Sequence, residues 1–148
     1  MHKHVFLVMI AGLLIVGDAK DDETQKELRK FQGTWKLASG EKDGKKIPDK
    51  HIKKSKITWE GNKATLITPQ QSKKPIKATV TLKPQTREMT WVPSAGPGKG
   101  KKMHAIYKFI NGDEYHVCFA PPGKEGPIKF ATEEGSGHIL HVWKRVKK

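Results

Sequence analysis

Lys77-Ala78-Thr79-Val80-Thr81-Leu82-Lys83-Pro84-Gln85-Thr86-Arg87-Glu88-Met89-Thr90-Trp91 alternates apolar and polar residues, turns, and alternates again. Ala78, Val80 and Leu82 fall on one side of the first run, and Lys77, Thr79 and Thr81 fall on the other. A period of two places successive side chains on opposite faces of a strand. The stretch therefore reads as a hairpin with one buried and one wet face, turning at 84–87. The same period runs outward in both directions. Trp35 and Leu37 alternate with Thr34, Lys36 and Ala38, and Ile57 and Trp59 alternate with Lys56 and Thr58. Ala64 and Leu66 follow, and a last strand spans 138–146.

Read as eight strands, the chain has tight turns at Gly61-Asn62, at 84–87 and at Asn111-Gly112-Asp113, and long connections at 40–54, 69–75, 94–100 and 121–137. Long and short alternate. In an up-and-down barrel alternate connections lie at opposite ends, so one end is closed and the other open. The expected fold is all-β, an eight-stranded up-and-down barrel with a short N-terminal helix, since closure leaves no strand edge exposed.

One choice of register decides the wall. A two-residue turn at Asn111-Gly112 sets Tyr115, Val117 and Phe119 on the face of His104, Ile106 and Lys108. An odd-length turn sets them with Ala105, Tyr107 and Phe109, because a one-residue slip inverts a strand. Only the odd turn makes one apolar wall. It is expected with Gly112 at a positive φ and with His104, Ile106, Lys108, His116 and Cys118 facing outward. Trp35, Trp59, Trp91, Tyr107, Phe109, Tyr115 and Phe119 then face inward.

Ahead of the barrel, Thr24-Gln25-Lys26-Glu27 matches a capping box that starts a helix, Leu28 and Phe31 share one face of it, and Gly33 ends it. Earlier still, His2-Lys3-His4 is a positive start, 5–16 is apolar, and Gly17-Asp18-Ala19 supplies small residues. That is the pattern of a signal peptide over residues 1–19. The apolar run is shorter than the roughly twenty residues a membrane span needs. Residues 20–148 suit one domain.

The chain carries a net charge of +14, and removal of residues 1–19 leaves it unchanged because Lys3 and Asp18 depart together. Such an excess points to polyanionic partners. Export excludes intracellular nucleic acid and favours an anionic small molecule, a lipid or a cell-envelope polymer. The long connections, with 94–102 as the third, hold thirteen lysines against six acids, whereas the tight-turn end has an excess of one acid. A basic mouth on an aromatic interior nominates Lys45, Lys46, Lys54, Lys73, Lys74, Lys101, Lys102 and Lys124, with Trp59, Trp91 and Tyr107 below them, as ligand-binding residues. Residues 47–54 are expected as one helical turn acting as a lid, with Ile47 and Ile52 toward the opening. Pro121-Pro122-Gly123-Lys124 is either a stiff recognition element or a strut.

Gly33-Thr34-Trp35 after a short helix, with Arg145 in the last strand, resembles the G-x-W signature of lipocalin-like barrels, in which the tryptophan plugs the closed end against a basic residue. Together with Phe31-Gln32, Asp43-Gly44-Lys45-Lys46-Ile47-Pro48-Asp49, Cys118-Phe119-Ala120-Pro121-Pro122-Gly123-Lys124 and Gly135-Ser136-Gly137-His138, it resembles one family over nearly all of residues 20–148. That family is an exported lipocalin-like domain of unknown function abundant in planctomycete bacteria. The resemblance implies a lipocalin-like barrel, an exported protein and a structural role for Gly33, Trp35 and Arg145. It implies no activity.

Catalytic and metal patterns are thin. Gly135-Ser136-Gly137 lacks the flanks of a nucleophile elbow and reads as a turn. His104 and His116 read as cross-strand neighbours on the outer face, but two imidazoles fall short of a metal's usual three or four ligands. No histidine falls on the inward face by this reading, which leaves a barrel haem without a ligand, and no cofactor is expected. Cys118, the single cysteine, cannot form an internal disulfide and is expected to be shielded by packing. The leading expectation is an exported non-catalytic binding module, with a filled structural or protein-interaction barrel as the alternative and an enzyme as the third reading. Export has a direct readout. N-terminal sequencing of the secreted protein should begin at Lys20; a secreted chain that still begins at Met1 would remove the signal-peptide reading.

Overall fold

Each alternating segment is a strand in the computed structural model, which describes residues 19–69, 74–95 and 98–147. In chain order the elements are α1 (Ala19–Phe31), β1 (Gly33–Lys42), β2 (Lys45–Lys46), α2 (Asp49–Ile52), β3 (Lys56–Glu60), β4 (Lys63–Ile67), β5 (Ile76–Lys83), β6 (Glu88–Ala95), β7 (Met103–Asn111), β8 (Glu114–Phe119) and β9 (Ile139–Arg145). Neighbours in sequence are neighbours in the antiparallel sheet, and β1 also pairs with β9. This closes an eight-stranded barrel, with β2 as a short extra strand on the free part of β1. Residues 1–18, which carry most of the expected signal peptide, lie outside the described residues.

The apolar wall is the expected one. Ala105 pairs with Phe119, Tyr107 with Val117, and Phe109 with Tyr115. The means differ from the expectation. Asn111 pairs with Glu114, so Gly112 and Asp113 form a two-residue turn, and the odd offset comes from a bulge at Ile110. Gly112 does not take a positive φ. A bulge inserts one unpaired residue and so restores the facing that a two-residue turn alone would invert. Ile110, the extra residue, is half exposed.

Helix α1 does not begin at a capping box. Thr24 lies inside it, and Glu27 has other work. The Tyr107 hydroxyl donates to the Glu27 carboxylate at 2.6 Å, and Lys30 pairs with it at 2.7 Å. Burial alone would raise the Glu27 pKa, but these two hydrogen bonds outweigh it and hold the carboxyl below its usual range. The helix sits under the closed end and points Leu28 and Phe31 into it. The Phe31 ring lies 4.7 to 5.2 Å from those of Trp59, Tyr107, Phe109 and Tyr115. Burying such a ring contributes about 2 kcal/mol, which is how a short helix persists here.

All three tight turns are tied to this helix. Gln32 bonds both ways with Gly61 of the first turn, and Gln85 of the second donates to Glu23. The third is tied through Arg145, whose guanidinium lies 4.2 Å over the Trp35 ring. It donates to the carbonyls of Lys30, Gln32 and Gly112 and pairs with Asp113 at 3.3 Å. Trp35 itself donates to the Phe31 carbonyl at 2.7 Å. Gly33 passes beneath the guanidinium with φ of 104°; a Cβ there would stand 3.3 Å from Arg145 Nη1. Gly33, Trp35 and Arg145 thus form one closure at the base.

A lysine keeps the charge of Arg145 but not the fork that reaches several carbonyls. Arg145→Lys should therefore lower stability by about 2 kcal/mol and Arg145→Ala by about 3 kcal/mol, from lost charge-assisted bonds and ring stacking. Urea denaturation midpoints measure both, and equal midpoints for wild type and Arg145→Lys would show that the fork is not what holds the base.

Candidate binding cavity at the open end

A second bulge decides what the mouth contains. Between β1 and β9 the register shifts at Ala38: Leu37 pairs with Trp143, but Ser39 pairs with Val142 and Gly40 with His141. Beyond the bulge the inward positions of β1 change from odd to even, so Gly40 and Lys42 turn inward opposite His141 and Ile139. Simple alternation from Trp35 would send Lys42 outward.

The barrel is filled below and open above. Around Ile57, Trp59, Met89, Tyr115, Val117 and Trp143 the packed layer leaves no space a water could occupy. Above it lies a cavity of about 300 Å³ walled chiefly by Trp91, Pro93, Met103, Phe119, Pro122 and Ile139. Among the described residues, Lys42 and His141 are the ionisable side chains on its lining. His141 also belongs to the packed layer beneath, so its ring is the floor.

His141 corrects the expectation that no histidine faces inward. Its neighbours Leu140 and Val142 are also apolar, so alternation along β9 left its facing undefined. Those two pack on the outside instead, where with Ala38, Ile47 and Ile52 they line a groove against β2 and α2. The His141 ring is buried edge-on to Phe119 and Trp143, with centroids at 6.1 and 5.3 Å. Gly40 lies opposite it with no side chain: a Cβ there would stand 2.7 Å from Ile47 Cδ1 and 3.1 Å from the Leu140 carbonyl, and at ordinary contact, 3.4 Å, from the ring. Neither ring nitrogen has a hydrogen-bond partner among the described residues. Burial lowers its pKa to about 4, so the imidazole is neutral near pH 7.

The nominated residues divide. Trp91 lines the cavity, Trp59 lies in the packed layer below it, and Tyr107 stands at the closed end on Glu27. Tyr107 is therefore a part of the base, not of a ligand site. Lys45, Lys46, Lys54, Lys74, Lys101, Lys102 and Lys124 are exposed on elements of the open end, but none is on the cavity lining; Lys73 lies outside the described residues. The charged group at the lip is Lys42, which sequence reading passed over. The expected lid is a helical turn, α2, that leans on β1: Ile47 donates its amide to Gly40 and Leu37 donates to Ser55. Ile47 and Ile52 line the outer groove and Ile52 also packs against the core, but neither is on the cavity lining.

The 121–137 connection starts at the rim and then descends the outer wall. Gly126 lies against His104, Phe130 lies under the Lys108 ammonium at 4.5 Å, and the Ala131 carbonyl accepts from Cys118 Sγ at 3.7 Å. Lys129 is bound to Glu133 at 2.9 Å, so the basic rim is less populated than a count over the whole connection implies. Cys118 is fully buried under this strap, and burial raises its thiol pKa. The Pro121-Pro122-Gly123-Lys124 segment is a strut: Gly123 donates to Lys102, Pro122 stands beside Gly98, and a Cβ on Gly137 would lie 2.7 Å from Pro121.

The outer histidines are not neighbours. His116 pairs across the sheet with Lys108, while the carbonyl of His104 accepts from the amide of Ala120. His104 bonds to Thr90 and His116 to Glu114. Ser136 spends its hydroxyl on the turn, donating to the Glu133 carbonyl at 2.6 Å and accepting from the amides of Glu133 and His138. Among the described residues no group of three histidine, cysteine or acidic side chains could hold a metal ion, and no helix is long and apolar enough to cross a membrane. No protein-family model matches the chain, and no curated protein is similar to it.

The buried imidazole has a stability consequence. The unfolded chain takes up this proton near the ordinary 6.5 and the folded chain only near 4. Above pH 6.5 both states are neutral there and the ring is without effect; as pH falls from 6.5 to about 4, the unfolded state alone gains the proton and stability drops by about 3 kcal/mol. Among the described residues Lys42 is the other ionisable group lining the cavity, and no carboxylate lines it. Unfolding free energies measured from pH 8 to 4 should fall less steeply in His141→Phe than in wild type; parallel curves would mean that the folded chain protonates this ring as readily as the unfolded one.

Proposed function

We propose that this chain is an exported, non-catalytic binding protein whose barrel mouth takes a small anionic amphiphile. The observation that carries the reading is the apolar cavity of about 300 Å³ with Lys42 at its lip. That volume stands at the lower end of the range of about 300–1,000 Å³ typical of ligand pockets. Apolar walls supply affinity without direction, and an ammonium at the opening orients an anionic head outward. The exposed lysines around the open end add a field that gathers anions before they dock. Export rests on the pattern of residues 1–19, and the lipocalin-like affiliation rests on the resemblance around Gly33, Trp35 and Arg145.

The filled-barrel alternative accounts for the packed layer at Trp59 and Trp143 but assigns no use to the space above it. A cell-envelope polymer would use the exposed lysines and leave the cavity unused. Non-catalytic binding is supported by how the polar side chains are spent: Ser136 on its turn, Glu27 on Tyr107, His116 on Glu114.

Trp91 on the cavity wall provides a signal. Titration with 3-phenylpropanoate should quench tryptophan fluorescence in the mature protein. Affinity should fall as sodium chloride rises, because screening weakens a rim charge. Lys42→Glu should weaken binding about tenfold, from lost attraction and added repulsion at the lip. No quenching at any salt concentration, together with retention on an anionic polymer, would transfer the function to the outer lysines.

A further inference from the structure

The floor of the cavity carries a polar side chain without a use. In a folded protein nearly every buried polar atom has a partner, and one left without costs free energy. His141 has two such atoms, is wholly buried, and lies where the cavity ends. The surroundings do nothing to satisfy them: Phe119 and Trp143 offer ring edges, and Gly40 offers no side chain. A residue chosen only to fill this space would be apolar, as the layer beneath it is. A neutral imidazole is also specific in what it takes, since it presents one N–H donor and one bare acceptor.

The geometry fixes a second end. His141 pairs with Gly40 and Ile139 pairs with Lys42, so Lys42 stands two residues nearer the rim. At about 3.3 Å per residue that is about 7 Å along the strand, before the length of the lysine itself is added. A volume of about 300 Å³ equals that of about ten water molecules. The occupant is therefore a molecule on the order of ten non-hydrogen atoms with polar groups at opposite ends. Its middle meets Trp91, Phe119, Pro93 and Pro122, flat surfaces that suit a ring.

Building on the proposed function above, the geometry points to His141 as the residue that selects the ligand: the site takes a small aromatic carboxylate that carries a hydroxyl at the end remote from its carboxylate. The carboxylate meets Lys42 at the lip. The hydroxyl reaches the floor and, with a small shift of the buried ring, hydrogen-bonds to one nitrogen of the imidazole, supplying one of the two partners it lacks. The imidazole is neutral at pH 7, so a hydroxyl meets it without bringing a second charge into the barrel.

A matched pair of ligands tests this on the intact mature protein. Binding of 3-phenylpropanoate and of 3-(4-hydroxyphenyl)propanoate is compared by calorimetry and by tryptophan fluorescence. The hydroxylated acid should bind wild type about tenfold or more tightly than its analogue, because only it brings a hydrogen bond to the floor. In His141→Phe, which keeps an aromatic ring against Phe119 and Trp143, that preference should vanish, and His141→Gln should keep part of it. Equal affinity of wild type for the two acids overturns the role of His141 while leaving the cavity as a binding site. A preference that survives in His141→Phe does the same, with the hydroxyl recognised elsewhere. Binding of neither acid overturns both this inference and the reading of the mouth on which it rests. The comparison within wild type needs no variant to fold.

Discussion

One planar cation on one indole sets the terms for the rest of the molecule. Arg145 stacks on Trp35 and, with the same guanidinium, holds the end of the helix and the turn between β7 and β8. The stacking surface is apolar and the rim of the cation is entirely donor, so both ends of its chemistry are used where the barrel narrows. Without that closure Phe31 would have no fixed seat among the rings, and the helix would be left with its bonds from Glu23 and Glu27 to hold it on the barrel. Concentrating the fastening at one end has a structural corollary. The opposite end need not be packed to keep the barrel shut, because the hydrogen-bonded circuit of β1 and β9 already does so.

Of the three register shifts among the described strands, two divide the labour. The one at Ile110 turns a strand so that the base becomes continuous and apolar. The one at Ala38 turns a strand so that the mouth is interrupted by Gly40 and Lys42. Identical backbone irregularities thus yield opposite results, a sealed floor below and a charged lip above. Both act by exchanging the faces of a strand.

The barrel was legible because most strands are wet on one side. Between Lys77 and Trp91 the alternation is strict, and it describes β5 and β6 as they are. The tight turns and the inward rings followed from the same rule. It failed where its physical premise failed. On β9, Leu140 and Val142 are apolar on the outer face, where they share a groove with Ile47 and Ile52, so alternation could not assign His141. On β1 the bulge broke the period ahead of Lys42. The 121–137 connection read as rim because its backbone starts and ends there, and nothing local announces that Phe130 lies down against Lys108. Thr24 to Glu27 spells a helix start, yet a tertiary bond from Tyr107 and an ion pair with Lys30 of the same helix claim the glutamate instead. Of the nominated cavity residues, Trp91 alone was identified as such, since lysine content marks an end of a barrel and not which lysine leans into it.

The strap laid over the outer wall has a chemical corollary. It buries the chain's single sulfur nucleophile on a face that would otherwise meet solvent, with the Ala131 carbonyl as its lid. In oxidising surroundings a bare thiol is prone to mixed disulfides with other molecules, and a chain with no second cysteine has no internal way to retire it. Detachment of one peripheral segment would therefore convert a barrel with a shielded thiol into a species able to crosslink. The seating of Phe130 and Ala131 guards against covalent pairing between copies, a duty quite separate from anything that happens inside the barrel.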